Sequence, residues 1–550
     1  MMKIPVAMKK FLLNLFAMAI AFPLMATNVW DGSSEPWSNG SGTQNDPYLI
    51  ETAANLAYLA EKVNEGYQAQ DMAVFKNIYF LMTDDLDLND IEWTPIGNVN
   101  MNMEGFYFAG IFDGWYHNID HLRIQSNADV CGLFAGLGGE QGPPPSDLTG
   151  QIRHLSVTNG NITSTGIGVG GIVGGVAGEA LVFQCSFSGT ITVSNSGSFC
   201  GAGGIAAAVA ESAGVVECCF NGSINATNNA FTGAAGAGGI VGIAMDNAVV
   251  SKCYNTGTVT GNAMILSVAA GIVGATLQEN NVFVYSCYNV GLLNAGTKGG
   301  IFGMVSPINP MKEEVSIEVS NCFYLNTCGG TTDYGTSMTS DEMKTEQFKN
   351  QIDMSSHSFV MDNGSNNGYP IHALTAYKLN EATEVTYHSA LLSADIHQGN
   401  SDLSRAYFLY GVWDAPELIE VDVDTDGYVE TVLENLEPET DYVFYFTLQF
   451  SDGSMMSGSP QSFSTGVDAV ASLETPEVSV YPNPATDVIH IEGVEAVKIQ
   501  VFNTFGQLVK TVNGSNEISV NDFADGHYLL RIASTNPETL YVLPFSKHSH

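Results

Sequence analysis

The chain has 550 residues, 45% of them hydrophobic, which excludes extended disorder; Lys plus Arg (18) against Asp plus Glu (58) leave a formal charge of −40. A polyanion of that size is repelled by nucleic-acid phosphates and anionic lipid headgroups, so neither is a partner. Only 14% of residues are charged and glycine reaches 58, a composition suited to turns and strands.

In chain order, Lys3, Lys9 and Lys10 precede an uncharged run from Phe11 to Met25, with Ala26 as a small residue before Thr27. The run is short for a bilayer, which needs about 20 residues. Residues 1–26 therefore read as a cleaved secretory signal peptide. No later segment is long and apolar enough to give the mature chain a transmembrane helix.

Residues 27–130 read as a cap and lead-in. Thr52 is a candidate helix N-cap, Leu56, Leu59, Ala60 and Val63 recur at helical spacing, and Gly66 ends the helix. Asp84, Asp85, Asp87 and Asp90 alternate with Leu86 and Leu88 as on a solvated strand edge. Asp113, His117, Asp120 and His121 are the best catalytic candidates the sequence offers, although a turn after Phe112-Asp113-Gly114 accounts for them more simply.

Residues 131–373 repeat. Cys185, Cys218, Cys253, Cys287 and Cys322 are 33, 35, 34 and 35 residues apart, and Gly189, Gly222, Gly257 and Gly291 follow the first four at the fourth position. A second marker, Gly-Ile, precedes each cysteine and supplies Ile172, Ile205, Ile240, Ile272 and Ile301. A degenerate earlier unit begins at Gly132, with Ser156 in the cysteine position. Each unit reads as short strands that cannot close a core alone, so neighbours must stack about 4.8 Å apart. This predicts one buried isoleucine ladder and one of free thiols, since parallel Cβ vectors disfavour disulfides; Cys322 with Cys328 is the pair most suited to bonding. Tyr254 and Tyr288 either fill the wall or face a ligand. Between Asn161 and Pro310 there are five acids and two lysines, so the surface is mostly Asn, Ser, Thr and Gly.

Residues 374–466 form a separate strand-rich module: from Leu374 to Glu474 eighteen acids oppose Lys378 and Arg405, a local charge of 2 − 18 = −16. Asp422, Asp424 and Asp426 open like an EF-hand loop, but the twelfth position is Leu433 rather than a bidentate Glu. An acidic hairpin with at most weak calcium binding follows, and no cofactor is expected. A linker at 467–476 leads to a last β-rich module, 477–550. The predicted fold class is thus all-β: a parallel β-helix (β-solenoid) with a helical N-terminal cap, then two small β-sandwich domains.

Three families enter by resemblance. The Gly-Ile-Val-Gly units followed by Cys-Tyr-Asn-Thr-Gly, with Trp93-Thr94-Pro95-Ile96-Gly97 before them and Asn367-Gly368-Tyr369-Pro370 after, resemble GLUG-repeat proteins, secreted and adhesin-like. Leu436-Glu437-Pro438-Glu439-Thr440-Asp441-Tyr442 resembles the fibronectin type III corner, without that family's early core Trp. Tyr481-Pro482-Asn483-Pro484-Ala485, Val501 to Val509 with Gly506, and Asp525-Gly526-His527-Tyr528 resemble the C-terminal sorting domain of type IX secretion. That likeness implies the secretion machinery as partner and an outer-surface or extracellular location.

Chemistry-bearing motifs are sparse. Gly166-x-Gly168-x-x-Gly171 leads into a strand, whereas a dinucleotide site needs a helix there. The eleven His all lie outside residues 161–310, and no zinc or serine-hydrolase signature is present. The expected function is non-catalytic, adhesin-like binding of an unidentified glycan or protein. The alternatives are a polysaccharide lyase or hydrolase, which needs two carboxylates about 5–9.5 Å apart, and a self-associating surface-layer component.

Overall fold

The computed structural model describes residues 29–548 except 67–72, 101–103, 139–149, 277–280, 306–315, 331–333, 355, 363, 398, 401–402, 413–414, 422–426, 452, 454, 458–459, 467–477, 495, 505–506 and 535–539. The signal-peptide expectation at 1–26, the linker at 467–476, Asp422, Asp424, Asp426 and Gly506 lie outside the described residues.

The repeats wind into a parallel β-solenoid of about seven turns. One coil shows the plan: Val173–Ala177, Leu181–Phe183, Ser186–Asn195 and Phe199–Gly203 are its four sides, and Ala206–Val209, Gly214–Val216, Cys219–Asn228 and Ala234–Gly238 lie on them in the next coil. Successive sides join four sheets of nine, six, nine and twelve strands. Register is kept from coil to coil: Val182 pairs with Val215, Ile191 with Ile224 and Ala202 with Ala237. The sheets also run through the lead-in, where Tyr79–Met82 and Ile111–Asp113 continue the side formed by Gln151–Arg153 and Leu181–Phe183.

Leu181–Phe183 and Ser186–Asn195 alternate buried and more exposed residues, as a half-buried strand does, whereas the Gly- and Ala-rich sides Val173–Ala177 and Phe199–Gly203 are buried almost throughout. Ile172, Ile205, Ile240, Ile272 and Ile301 are all fully buried, and each amide N–H in the series donates to the next isoleucine carbonyl at 2.9–3.0 Å. Cys185, Cys218, Cys253, Cys287 and Cys322 form a second column. The N–H of each of the first four donates to the next sulfur at 3.4 Å, and all five thiols donate to the carbonyl two residues upstream at 3.2–3.3 Å. All nine cysteines are free. Cys322 and Cys328, the pair most suited to bonding, form no disulfide: Cys322 is committed to its ladder, and the Cys328 sulfur accepts from the Gly330 N–H at 3.4 Å. Ser156 does not hold the cysteine position either. It pairs with Ser186, so Leu155 aligns with Cys185, an apolar side chain in an apolar column.

The first coil is closed by the helix Ala53–Asn64. Thr52 Oγ1 accepts the Asn55 N–H and Asn55 Oδ1 accepts the Thr52 N–H, both at 3.2 Å, a reciprocal capping box. Leu56, Leu59, Ala60 and Val63 are buried on the stack. At the far end Glu346–Asp353 and the segment to His372 fold back along the solenoid flank.

Beyond it, Ala376–Leu379, Ser389–His397 and Gly427–Glu434 make one antiparallel sheet. Ala415–Val421, Leu403–Val412, Asp441–Phe450 and Met455–Ser457 make another, with Gln461–Ser464 pairing Asp441–Phe450. Phe408, Phe444, Phe446 and Leu448 are buried there. By compactness the chain forms two bodies, one of residues 1–383, 391–432 and 442–463, the other of 384–390, 433–441 and 464–550. The second contains a three-stranded and a four-stranded antiparallel sheet over Ser479–Lys547, enclosing Ile489, Ile491, Ile499, Val501, Ile518, Leu530, Ile532 and Phe545.

Candidate binding face and polar cavity

On one side of the solenoid, strands at 123–126, 161–164, 190–195, 223–228, 258–263 and 293–294 lie in one sheet. The chain bends into it at the glycine column. A Cβ on Gly189 would meet the Gly160 carbonyl oxygen at 2.1 Å, so neighbouring coils approach there more closely than any side chain permits. Ile124, Ile162, Ile191, Ile224, Val259 and Leu293 point inward and are buried. The alternate residues therefore point outward, in register: Asn161, Thr190, Ser223 and Thr258 in one row, Thr163, Thr192, Asn225, Thr260 and Asn294 in the next. Rungs repeat at about 4.8 Å and rows lie about 7 Å apart along each strand. From Asn161 to Asn294 these rows hold only hydroxyl and amide side chains, so the face offers hydrogen bonds without charge.

A second feature sits at the corner before the cysteine column. His154, Gln184, Glu217, Lys252, Ser286 and Asn321 each adopt a left-handed backbone, φ between 49° and 54°, a conformation that strains non-glycine residues. Their polar side chains join along the stack. Gln184 Nε2 donates to Glu217 Oε2 at 2.7 Å, Lys252 Nζ lies 3.2 Å from Glu217 Oε1, and Asn321 Nδ2 donates to Ser286 Oγ at 3.0 Å. From the returning segment, Ser358 Oγ donates to Glu217 Oε1 at 2.6 Å and His372 Nε2–H to the Lys252 carbonyl at 2.8 Å. Burial pushes the Glu217 carboxyl upward, but Ser358, Gln184 and Lys252 outweigh it and hold it below the usual range. Burial keeps His372 neutral, its titration moved down despite Glu217 nearby.

The same corner borders a cavity of about 950 Å³ lined by solenoid residues, by Tyr377, Lys378, Leu379 and Glu381, and by Met456, Ser457 and Gln461. Its floor is the sheet edge where Leu81, Asp113, Arg153 and Phe183 align in register. Asp113 is buried, with Oδ2 2.8 Å from Arg153 Nε and Oδ1 2.9 Å from His154 Nδ1. Burial opposes its ionisation, yet His154 and Arg153 hold its carboxyl well below the ordinary 3.8.

The other sequence candidates lie apart from this group. His117 Nδ1 is 3.2 Å from Asp85, and His121 Nδ1 is 2.9 Å from Asp87 and 3.3 Å from Asp120, all at the surface. Asp113 thus joins Arg153 and His154, not His117, Asp120 and His121. Gly168 and Gly171 belong to the solenoid wall, with no helix after them. Among the described residues, no three His, Cys, Asp or Glu side chains gather as a metal site.

Tyr254 and Tyr288 are not ligand-facing. They stack at 5.0 Å between centroids and are buried, Tyr288 fully, beneath Phe348 and Phe359 of the returning segment. That segment supplies its own apolar face through Phe348 and Phe359, a long-range contact outside the reach of sequence analysis. The corner residues before the cysteines also escaped it, although a polar residue at that position in every unit was the available signal.

In the last module Tyr481 is half exposed and stacks on His490. Ala485 is buried and exchanges backbone bonds with the end of the last strand, its N–H donating to Ser546 at 2.8 Å and its carbonyl accepting from His548 at 2.9 Å. Asn483 Oδ1 accepts the Ser546 N–H at 2.9 Å, so Tyr481-Pro482-Asn483-Pro484-Ala485 clasps the C-terminal strand. Tyr528 is buried and donates to the Ala524 carbonyl at 2.8 Å; Gly526 opens its strand.

Residues 479–541 match the family described as Secretion system C-terminal sorting domain. A protein of Evansella cellulosilytica whose name describes a Gly-rich membrane protein is 32% identical over 146 residues, 25% of this chain and 14% of its own length. Halomucin of Haloquadratum walsbyi is 27% identical over 168 residues, 28% of this chain and 2% of its own. The chain thus spans a small part of either relative. Among solved structures, the sensor domain of the anti-sigma factor RsgI4 of Pseudobacteroides cellulosolvens is 23% identical, covering 17% of this chain and 95% of that one at a TM-score of 0.15. The fibronectin(III)-like modules of Clostridium thermocellum CbhA are 11% identical, covering 32% and 94% at 0.16. No described helix is long and apolar enough to cross a membrane. With a type IX sorting domain at 479–541, the chain is an exported protein, destined for the cell surface or the extracellular space.

Proposed function

We propose that this exported chain is a non-catalytic, adhesin-like binding protein, a GLUG-type solenoid followed by a fibronectin type III-like spacer and a sorting domain. Its binding surface is the uncharged Thr/Ser/Asn face. The observation that carries this reading is the register: Thr163, Thr192, Asn225, Thr260 and Asn294 stand on consecutive rungs of one rigid sheet. A polar ligand meets there a row of donors and acceptors whose ordering entropy is already spent, the main requirement for affinity from many weak hydrogen bonds. Neutrality favours neutral glycans or protein surfaces, because a strongly anionic chain gains nothing from charge attraction to anionic cell surfaces.

The test is a glycan and protein array probed with the full secreted chain and with Thr192→Arg and Asn225→Arg. Both side chains point to solvent, so the variants should melt as wild type does and lose binding to whatever the wild type captures. Capture unchanged by both substitutions would move the binding surface elsewhere. Release of new reducing ends from an arrayed polysaccharide would replace this reading with the enzymatic one.

A further inference from the structure

We infer that the cavity above Asp113 and Arg153 is a second, separate binding site, for a carboxylate-bearing sugar such as a hexuronate residue. Arg153 is the reason. Its Nε is fixed at 2.8 Å on Asp113, its side chain remains about one-third exposed, and among the described residues Asp113 is its only hydrogen-bonding partner. The two Nη groups thus present a fork of donors held at one angle, the geometry that matches a planar carboxylate. Asp113 is already engaged, its oxygens meeting Arg153 Nε, His154 Nδ1 and the Trp115 N–H.

The rest of the lining suits a sugar acid better than a bare anion. Lys378 supplies a second cation, its Nζ held among the described residues by one long bond of 3.4 Å to the Asn45 carbonyl. These are two of just eighteen basic residues in a chain of charge −40, placed on one cavity that they share with the acids Asp113 and Glu381. Trp115 and Tyr79 add aromatic surface for a ring face, and Gln461 adds an amide for hydroxyls. The volume, about 950 Å³, lies at the upper end of small-molecule sites and has room for more than one sugar ring. Because the floor belongs to the solenoid sheet, Arg153 and Asp113 are positioned before any ligand arrives.

Calorimetric titration of the full chain with D-glucuronate, and with D-glucose, glucose 6-phosphate and acetate as comparisons, tests this. Glucuronate should bind at least about tenfold more tightly than each of the other three. Arg153→Lys keeps a cation beside Asp113 but removes the fork, and should weaken glucuronate about tenfold or more while glucose is unaffected. Lys378→Gln, which leaves the Arg153–Asp113 pair intact, should weaken it with an unchanged melt, so the proposal stays testable if the Arg153 variant is unstable. Glucose 6-phosphate binding as tightly as glucuronate would overturn the carboxylate assignment. Wild-type binding no tighter for glucuronate than for glucose, or full binding by Lys378→Gln and a folded Arg153→Lys, would overturn the site.

Discussion

Replacing Gly204 by alanine tests whether coil spacing, rather than burial alone, holds the solenoid. A Cβ there would lie 2.2 Å from the Gly239 carbonyl oxygen and 2.4 Å from the Phe220 ring. Ordinary contact begins near 3.4 Å, so the next coil must retreat by 3.4 − 2.2 = 1.2 Å, a quarter of the normal strand separation. The ring cannot yield instead, because Phe220 is buried and stacked 6.3 Å from Phe187 on the adjacent coil. Such a retreat breaks the bonds from Ile205 and Ala206 N–H to the Ile240 carbonyl, now 2.9 and 3.1 Å, at about 1 kcal/mol each. Overpacking adds about 1–3 kcal/mol. We expect a melting temperature lower by on the order of 5–10 °C. Gly214→Ala is the control: its nearest atom is the flexible end of Leu181 at 3.1 Å, and it should melt within a degree or two of wild type. Equal melting of the two variants would refute the reasoning.

Other outcomes follow from single sites. Cys253→Lys buries an unpaired charge in the thiol column, at a cost of several kcal/mol, and should abolish the cooperative melt seen by circular dichroism. Glu217→Ala leaves Gln184, Lys252 and Ser358 without their acceptor and should cost about 3 kcal/mol, read as faster amide exchange over 356–372; Glu217→Gln should cost less. His372 is buried neutral with its titration moved below the ordinary 6.5, so the unfolded chain takes up a proton below that pH while the folded chain does not. Stability should therefore fall by up to about 1.4 kcal/mol per pH unit as pH drops from 6.5 to 5, and His372→Gln should show a shallower fall; identical profiles would contradict it. Deleting 479–550 should leave the protein inside the outer membrane on fractionation, and the mass of secreted wild type locates any C-terminal cut.

The spacing of the cysteines and the Gly-Ile markers made the stack legible, because a period of 33–35 residues with two phased markers leaves few folds other than a solenoid. Thr52, Leu56, Leu59 and Val63 made the cap legible for the same local reasons. What stayed hidden depends on long-range contact. The cover over Tyr254 and Tyr288 comes from residues such as Phe348 and Phe359, far along the chain. Arg153 meets Asp113 only because strands 40 residues apart lie side by side. Ser156 was misassigned by one position, and in a strand one position exchanges inside for outside.

Register also explains why the five stacked cysteines form no disulfides with one another. In a parallel stack the cysteine side chains leave the backbone in the same direction, so each sulfur faces a neighbouring N–H rather than a neighbouring sulfur. Burial then raises the thiols of Cys185, Cys218, Cys253 and Cys287 well above the ordinary range, and Cys200 to about 12 and Cys131 and Cys219 to about 11, which leaves almost no thiolate, the form that attacks disulfides and oxidants. The ladder is thus protected by the same close packing that forbids a Cβ at the glycine column. Opening the coils would expose both at once, so thiol alkylation of the Gly204→Ala variant should accelerate in step with its loss of stability.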